Sequence, residues 1–452
     1  MGGRLRRGGG VASGGGGGGC AATGATTGGL VRGKGAGAVG LFAAGFFRAA
    51  GRALCFARGA PRLFGDFFAG FFASFRAGLF PLRFTGRFAF LLLAATLFPS
   101  SQARSYHGSS AAGHLVAGKA MPRELIDLHI HVGGAVAPHI LWSIAHQQGF
   151  KLPVKNYFEF VDLITATPDK VGGLDDYLKI MHQWTEKIQS SPSAIERSVY
   201  EVIGKEYRSS RVTQIELRFN PMKRNLGSEL DLDHIIHAAL HGMDRATLEY
   251  GVKACLIFCL AREFEHRLNS IIVDKAIKYR SRGVLGIDLA GTESNALELK
   301  PEVVTQYVDL FDRARRAGLK TTVHTGETKG TGAEGVIAVV EKLKPNRIGH
   351  GIRAAYDEAA MKLLKERDIV LELCPTSNLQ THAVEGVKEL EHIVRTFWER
   401  GVKITLNTDG PYLLNTDMKH ELELVEHNRI LTPEQIEQTL VWAREYSFIP
   451  KS

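Results

Sequence analysis

Glu124-Leu-Ile-Asp-Leu-His-Ile-His131 places two histidines two positions apart in an apolar, β-favouring run. Side chains alternate between the faces of a strand, so His129 and His131 point to one side. Their ring nitrogens can then converge on a single metal ion. In a chain with 17 histidines a His-x-His pair also arises by chance, so the pair gains meaning only from what other strands place beside it.

Seven more strand-like runs follow: Val212–Phe219, Val252–Leu260, Val284–Ala290, Lys320–His324, Arg347–His350, Ile369–Cys374 and Val402–Thr408. Amphipathic helical patterns lie between them, among them Ala194–Tyr207, His234–Tyr250, Glu302–Ala317 and Val387–Arg400. Glycine follows several of these, at Gly251, Gly283, Gly318 and Gly401, where it suits the left-handed residue that ends a helix. Eight strands alternating with helices predict an α/β fold, a (β/α)8 TIM barrel. Residues 133–210 form a helical insertion after the first strand, placed to cover the pocket. An open doubly wound sheet would need a glycine-rich phosphate loop there, which His131-Val-Gly-Gly-Ala135 does not supply.

Barrel enzymes build their sites from the C-terminal ends of strands. Those ends read His129 and His131, then Glu216-Leu-Arg-Phe-Asn-Pro221, Asp288-Leu-Ala-Gly-Thr-Glu293, His324-Thr-Gly-Glu327, Arg347-Ile-Gly-His-Gly351 and Asn407-Thr-Asp-Gly-Pro411. Three ends carry histidine and one carries an aspartate after an apolar run. Such nitrogen and oxygen donors suit zinc with room for a water, whose pKa zinc lowers to about 7. Strand four ends without a lysine to bridge two metals, which favours one ion. Glu327, three residues past His324 in a glycine-containing turn, is placed to act as acid and base.

The net charge of +9 is unevenly spread. Residues 1–120 hold 14 Lys and Arg and one acid, leaving the remainder mildly acidic and removing any basic-patch argument for nucleic acid. That first segment is rich in Gly, Ala, Phe and Arg without sustained periodicity, and is expected to be disordered. Its apolar run Phe88–Phe98 is too short to span a bilayer, so no stable membrane insertion is expected. The segment reads as a dispensable extension or a long targeting segment. Five scattered cysteines form no disulfide framework and no cysteine zinc site, which fits a reducing, cytoplasmic setting.

Residues 121–452 resemble the adenosine deaminase family of zinc aminohydrolases. The likeness rests on Asp127-Leu-His-Ile-His131, Ile287-Asp-Leu-Ala-Gly291, His324-Thr-Gly-Glu327, Arg347-Ile-Gly-His-Gly351, Cys374-Pro-Thr-Ser-Asn378 and Asn407-Thr-Asp-Gly-Pro411. It implies one Zn2+ per chain on His129, His131, His324 and Asp409, with a small purine nucleoside as substrate, adenosine or 2′-deoxyadenosine first. It also implies that Glu327 protonates the ring nitrogen beside the attacked carbon, that His350 orients and deprotonates the attacking water, and that the Gly291 amide contacts the ring.

Two positions depart from the family pattern. Gly133 replaces an aspartate that meets the sugar's 5′ end, and Gly410 replaces one that bonds the purine imidazole nitrogen. Each is expected to leave space, weakening adenosine or favouring another aminopurine. Elsewhere the expectations are structural: Glu216 paired with Arg218, Asp288 supporting the fold, His234, His237 and His241 on a solvated helix, and Cys255 and Cys259 in the core. Two other classes compete with a mononuclear deaminase. One is a different amidohydrolase, which a second metal would favour. The other is a non-catalytic relative, which the intact Glu327 and ligand set disfavour.

Overall fold

The computed structural model describes residues 124–225, 231–293 and 300–451; the expectations for residues 1–120 lie outside these. Eight strands form one sheet: β1 (Leu125–His131), β2 (Val212–Phe219), β3 (Lys253–Ala261), β4 (Val284–Ala290), β5 (Lys320–Thr325), β6 (Arg347–His350), β7 (Val370–Leu373) and β8 (Ile404–Leu406). They pair in parallel in strict sequence order. This is the (β/α)8 barrel expected; a doubly wound sheet would reverse its strand order at a switch point. The strands read as near-continuous apolar runs because helices cover one face and the barrel interior the other.

The seam between β8 and β1 is made differently. Asp409 N–H donates to the His129 carbonyl at 2.8 Å, and His131 N–H donates to the Asp409 carbonyl at 2.7 Å. Below that pair, Asn407 Oδ1 accepts from Leu128 N–H (3.0 Å) and the Thr408 hydroxyl donates to Asp127 (2.5 Å). These side chains take over the bonding, which is why β8 is three residues long where Val402–Thr408 was expected.

The helices follow their apolar stripes. Val387–Arg400 buries Leu390, Ile393, Val394 and Phe397, an i, i+3, i+4, i+7 set, and ends at Gly401 with φ +72°. Arg218, Arg347, Glu216, Glu372 and Asp288 are fully buried inside the barrel. Glu216 does not pair with Arg218, as the sequence suggested. Strand neighbours two apart stand side by side about 6.6 Å from each other, and each reaches across the barrel instead. Arg347 donates to Glu216 and to Glu372, both at 2.6 Å. Arg218 donates to Glu372 at 2.8 Å and to Asp288 at 3.0 Å. Burial alone would raise the Glu372 pKa; the two guanidiniums outweigh it and hold it at about 2.

The insertion after β1 is helical, as predicted. Its helix α1 (Leu174–Ile180) continues into a π turn, Met181–Thr185, and the segment ends in α2 (Pro192–Ser210). Ala166, Val171, Tyr177 and Met181 form a small apolar cluster with Leu413 and Leu414, which seats the insertion on the segment after β8. Among the described residues no helix is long and apolar enough to cross a membrane.

Candidate active site

At the C-terminal mouth of the barrel, β1 supplies His129 and His131 and β5 supplies His324. One ring nitrogen from each lies within 4.8 Å of the others. The outer nitrogens are tethered: His129 Nδ1 to Glu372 at 2.8 Å and His324 Nδ1 to Asp288 at 3.0 Å. A carboxylate at Nδ1 holds the proton there and leaves Nε2 with its lone pair free. His129 Nε2 is buried and has no hydrogen-bond partner, an orphaned lone pair facing the cluster. His131 Nε2 stands 3.1 Å from His324 Nε2, close to the ligand–ligand spacing of a tetrahedral ion with bonds of about 2.0–2.1 Å. Burial holds His129 and His131 well below the usual imidazole range, so both are neutral.

Asp409 lies beside the three histidines. The Ser377 hydroxyl donates to its Oδ2 at 2.7 Å, leaving Oδ1 turned toward His131 Nε2, 3.7 Å away. Its backbone is left-handed, φ +62°, an uncommon state for a residue with a Cβ, held by the seam bonds of β8. The three histidines fit a zinc ion in donor type and convergence, and the Asp409 carboxylate beside them is a suitable fourth donor. A second grouping, His129, His350 and Cys374, is a poorer ligand set, because burial pushes the Cys374 thiol well above its ordinary pKa.

Glu327 and His350 face each other beside this cluster, 3.7 Å apart. Burial, then the nearby Glu293 and Asp409 carboxylates, raises the Glu327 pKa well above its ordinary value, which favours its protonated form. Its backbone is pinned by Glu293, which accepts from the N–H groups of Glu327 (3.2 Å) and Thr328 (2.7 Å). His350 has φ +60° and contacts Asn378 Nδ2 through Nδ1 at 3.1 Å. A base at Nε2 requires the proton on Nδ1, hence the Asn378 amide turned so that its oxygen accepts. Gly291 lines the same cavity at φ +109°, where a Cβ would come 2.5 Å from Glu263 Oε2.

The vacancies expected at Gly133 and Gly410 are filled. A Cβ on Gly410 would overlap the Tyr177 hydroxyl, and one on Gly133 would lie 2.8 Å from Met181 Sδ and 3.2 Å from Arg224 Nη2. Helix α1 and its π turn bring Tyr177 and Met181 into that volume. Sequence reasoning missed both, since an insertion's register over a barrel mouth leaves no mark in the strands. It also missed Arg224, although the strand-end position of Asn220-Pro-Met-Lys-Arg224 was a usable signal. Asp288, expected to be structural, also fixes the His324 ring. His237 and His241 engage Tyr279 (3.0 Å) and Glu196 (3.1 Å), and Cys255 and Cys259 are buried.

Residues 124–452 match the family described as adenosine deaminase. The adenosine deaminase of Shewanella woodyi is 32% identical over 307 residues, covering 68% of this chain and 88% of that protein. Among solved structures, the adenine deaminase of Arthrobacter aurescens superposes with a TM-score of 0.64 at 19% identity, covering 72% of this chain and 94% of that one. An amidohydrolase of Burkholderia ambifaria with bound zinc gives 0.63 at 23% identity, covering 73% and 86%.

Proposed function

Because this chain belongs to the adenosine deaminase family, hydrolases of C–N bonds, we propose that it hydrolyses the 6-amino group of a purine nucleoside, adenosine or 2′-deoxyadenosine first, releasing ammonia. One zinc ion per chain would be held by His129, His131, His324 and Asp409. The observation that carries the reading is the orphaned Nε2 of His129, whose Nδ1 is tied to Glu372 while His131 and His324 converge beside it.

Bound zinc would supply the Lewis acidity that makes water nucleophilic at neutral pH. The chain's own residues do the rest. Glu327, protonated at rest, gives its proton to the ring nitrogen next to C6, drawing electron density from that carbon. His350 takes a proton from the attacking water at Nε2, with Asn378 accepting from Nδ1. The Gly291 amide holds the ring. As the bond from C6 to the amino nitrogen breaks, that nitrogen leaves as ammonia with the proton held by His350, and the carbon keeps the water's oxygen, whose remaining proton passes to the Glu327 carboxylate and restores it. Asp288, Glu372 and Ser377 hold the ligands in one tautomer and orientation throughout. The α1 cap keeps bulk water out of the cavity.

The test combines metal analysis by mass spectrometry with ammonia release from adenosine and 2′-deoxyadenosine. One zinc per chain and metal-dependent release are expected. Full activity in a metal-free preparation, or no release from any 6-aminopurine, would overturn the reading.

A further inference from the structure

We propose that the end of this pocket beside Arg224 is an anion subsite, so that the substrate is a 6-aminopurine whose sugar end carries a phosphate monoester or a carboxylate. This deepens the deaminase reading and rests on it for the placement of the base.

Arg224 sits in a short 3-10 turn, Met222–Arg224, just past the end of β2, and is fully buried. Its Nη1 donates to Glu186 Oε1 at 2.6 Å. Its Nε and Nη2 are buried and have no hydrogen-bond partner, although the residue lines the cavity that also holds His131, His324, Glu327 and Asp409. Nε and Nη2 share one edge of the guanidinium, the fork that presents two parallel N–H groups to a carboxylate or phosphate. A buried guanidinium edge left dry is costly, so its acceptor has to come from the cavity.

A second group says the same. Asn220 is 4% exposed, and its Oδ1 accepts from the backbone N–H groups of Met222 (2.9 Å) and Lys223 (3.1 Å). That fixes the amide's orientation and leaves Nδ2 buried without a partner. The acids nearby are already engaged. Glu186 is bound by Arg224 and by His182 (2.5 Å), and Glu263 by Lys223 (2.5 Å). Lys223 Nζ also contacts His182 Nε2 at 3.1 Å. Gln189 Oε1 and Asn225 Oδ1 are also unpartnered, but neither lines the cavity; on the cavity wall at this end the unfilled hydrogen-bonding capacity is on the donors of Arg224 and Asn220.

Gly133 explains why the fork is open. A side chain there would start 3.2 Å from Arg224 Nη2, so a carboxylate would pair with the guanidinium and close it. With glycine the donors stay available to a ligand. A neutral sugar hydroxyl offers a single oxygen, whereas a carboxylate or phosphate offers two to the paired N–H groups of the fork.

The experiment uses the full-length, zinc-loaded protein. Turnover of adenosine 5′-monophosphate, adenosine-5′-carboxylic acid, adenosine and 5′-deoxyadenosine is compared as kcat/KM, and binding of inosine 5′-monophosphate and inosine by calorimetry. At least one anionic compound should exceed adenosine by roughly tenfold or more, with the larger response naming phosphate or carboxylate as the group. Inosine 5′-monophosphate should outbind inosine if the group is phosphate. Arg224→Gln combined with Glu186→Gln keeps a neutral hydrogen-bonded pair in the core, and should bring the anionic-to-neutral ratio to within about threefold. Arg224→Lys should leave it intermediate. If nothing is deaminated but an anionic ligand binds in an Arg224-dependent way, the deaminase reading fails and the subsite stands. Adenosine and 5′-deoxyadenosine turned over as well as both anionic compounds would overturn the subsite and leave the deaminase reading intact.

Discussion

The hydroxyl of Tyr177 fills the space in which a side chain on residue 410 would begin. Tyr177 comes from the cap and Gly410 directly follows the Asp409 ligand, so the two positions share one volume between the insertion and the barrel. The phenol is 2% exposed and its oxygen has no hydrogen-bond partner. A polar atom held dry at a cavity wall is available to a ligand in the way a carboxylate on residue 410 would have been.

Placing an aspartate at position 410 therefore should not help, since the space expected from the sequence is occupied. Gly410→Asp should lower the melting temperature by several degrees and reduce adenosine turnover, because the new side chain and the phenol cannot coexist. Gly410→Asp with Tyr177→Ala should recover part of both. The check is a double-mutant cycle in Tm and kcat/KM, and additive effects would show that the two residues do not compete.

Glu327→Gln should retain metal while turnover falls by roughly 10²–10⁴, since an amide cannot pass a proton to the ring. Metal content and kcat measured on one preparation separate this from loss of the site. A variant within a few-fold of the parent would assign the proton transfer to another group.

Asp288→Asn removes the anion behind His324 and one partner of Arg218. Metal affinity should fall roughly 10–100-fold, read from competition with a chelator. Unchanged affinity together with lowered stability would leave Asp288 a purely structural role.

Glu421 gives a pH signature. Burial pushes its pKa up to about 7, against hydrogen bonds from Thr416 and Thr376 that oppose the shift. Between about 4.5, its unfolded value, and 7, the native state keeps a proton that the unfolded chain releases, so stability falls as pH rises through that window. The loss should level off above it at up to about 3 kcal/mol. Glu421→Gln should flatten the curve, and denaturant unfolding of parent and variant from pH 4 to 8 tests it. A variant curve parallel to the parent's would rule out this origin.

The barrel and the polar C-terminal ends of its strands were legible because parallel strands covered on both sides read as largely apolar runs. His129, His131, His324, His350 and Asp409 stood out as polar residues at those ends. Side-chain pairing was not legible. Glu216 and Arg347 meet from strands 131 residues apart, and no periodicity carries that distance. Tyr177 was hidden for a related reason, since only packing against Leu413 and Leu414 decides which face of α1 meets the site.

The β8–β1 seam gives a bound ion a mechanical meaning. His129 and His131 belong to the first strand and Asp409 directly follows the last, so an ion on all three works as a rivet between the two ends of the barrel wall. Backbone bonding there comes down to a reciprocal pair through Asp409. The demetallated protein should accordingly open like a zip at this edge before it opens anywhere else. The amides of His131 and Asp409 would then be the earliest in the sheet to exchange with deuterated solvent, while those of β3 and β4 keep their protection.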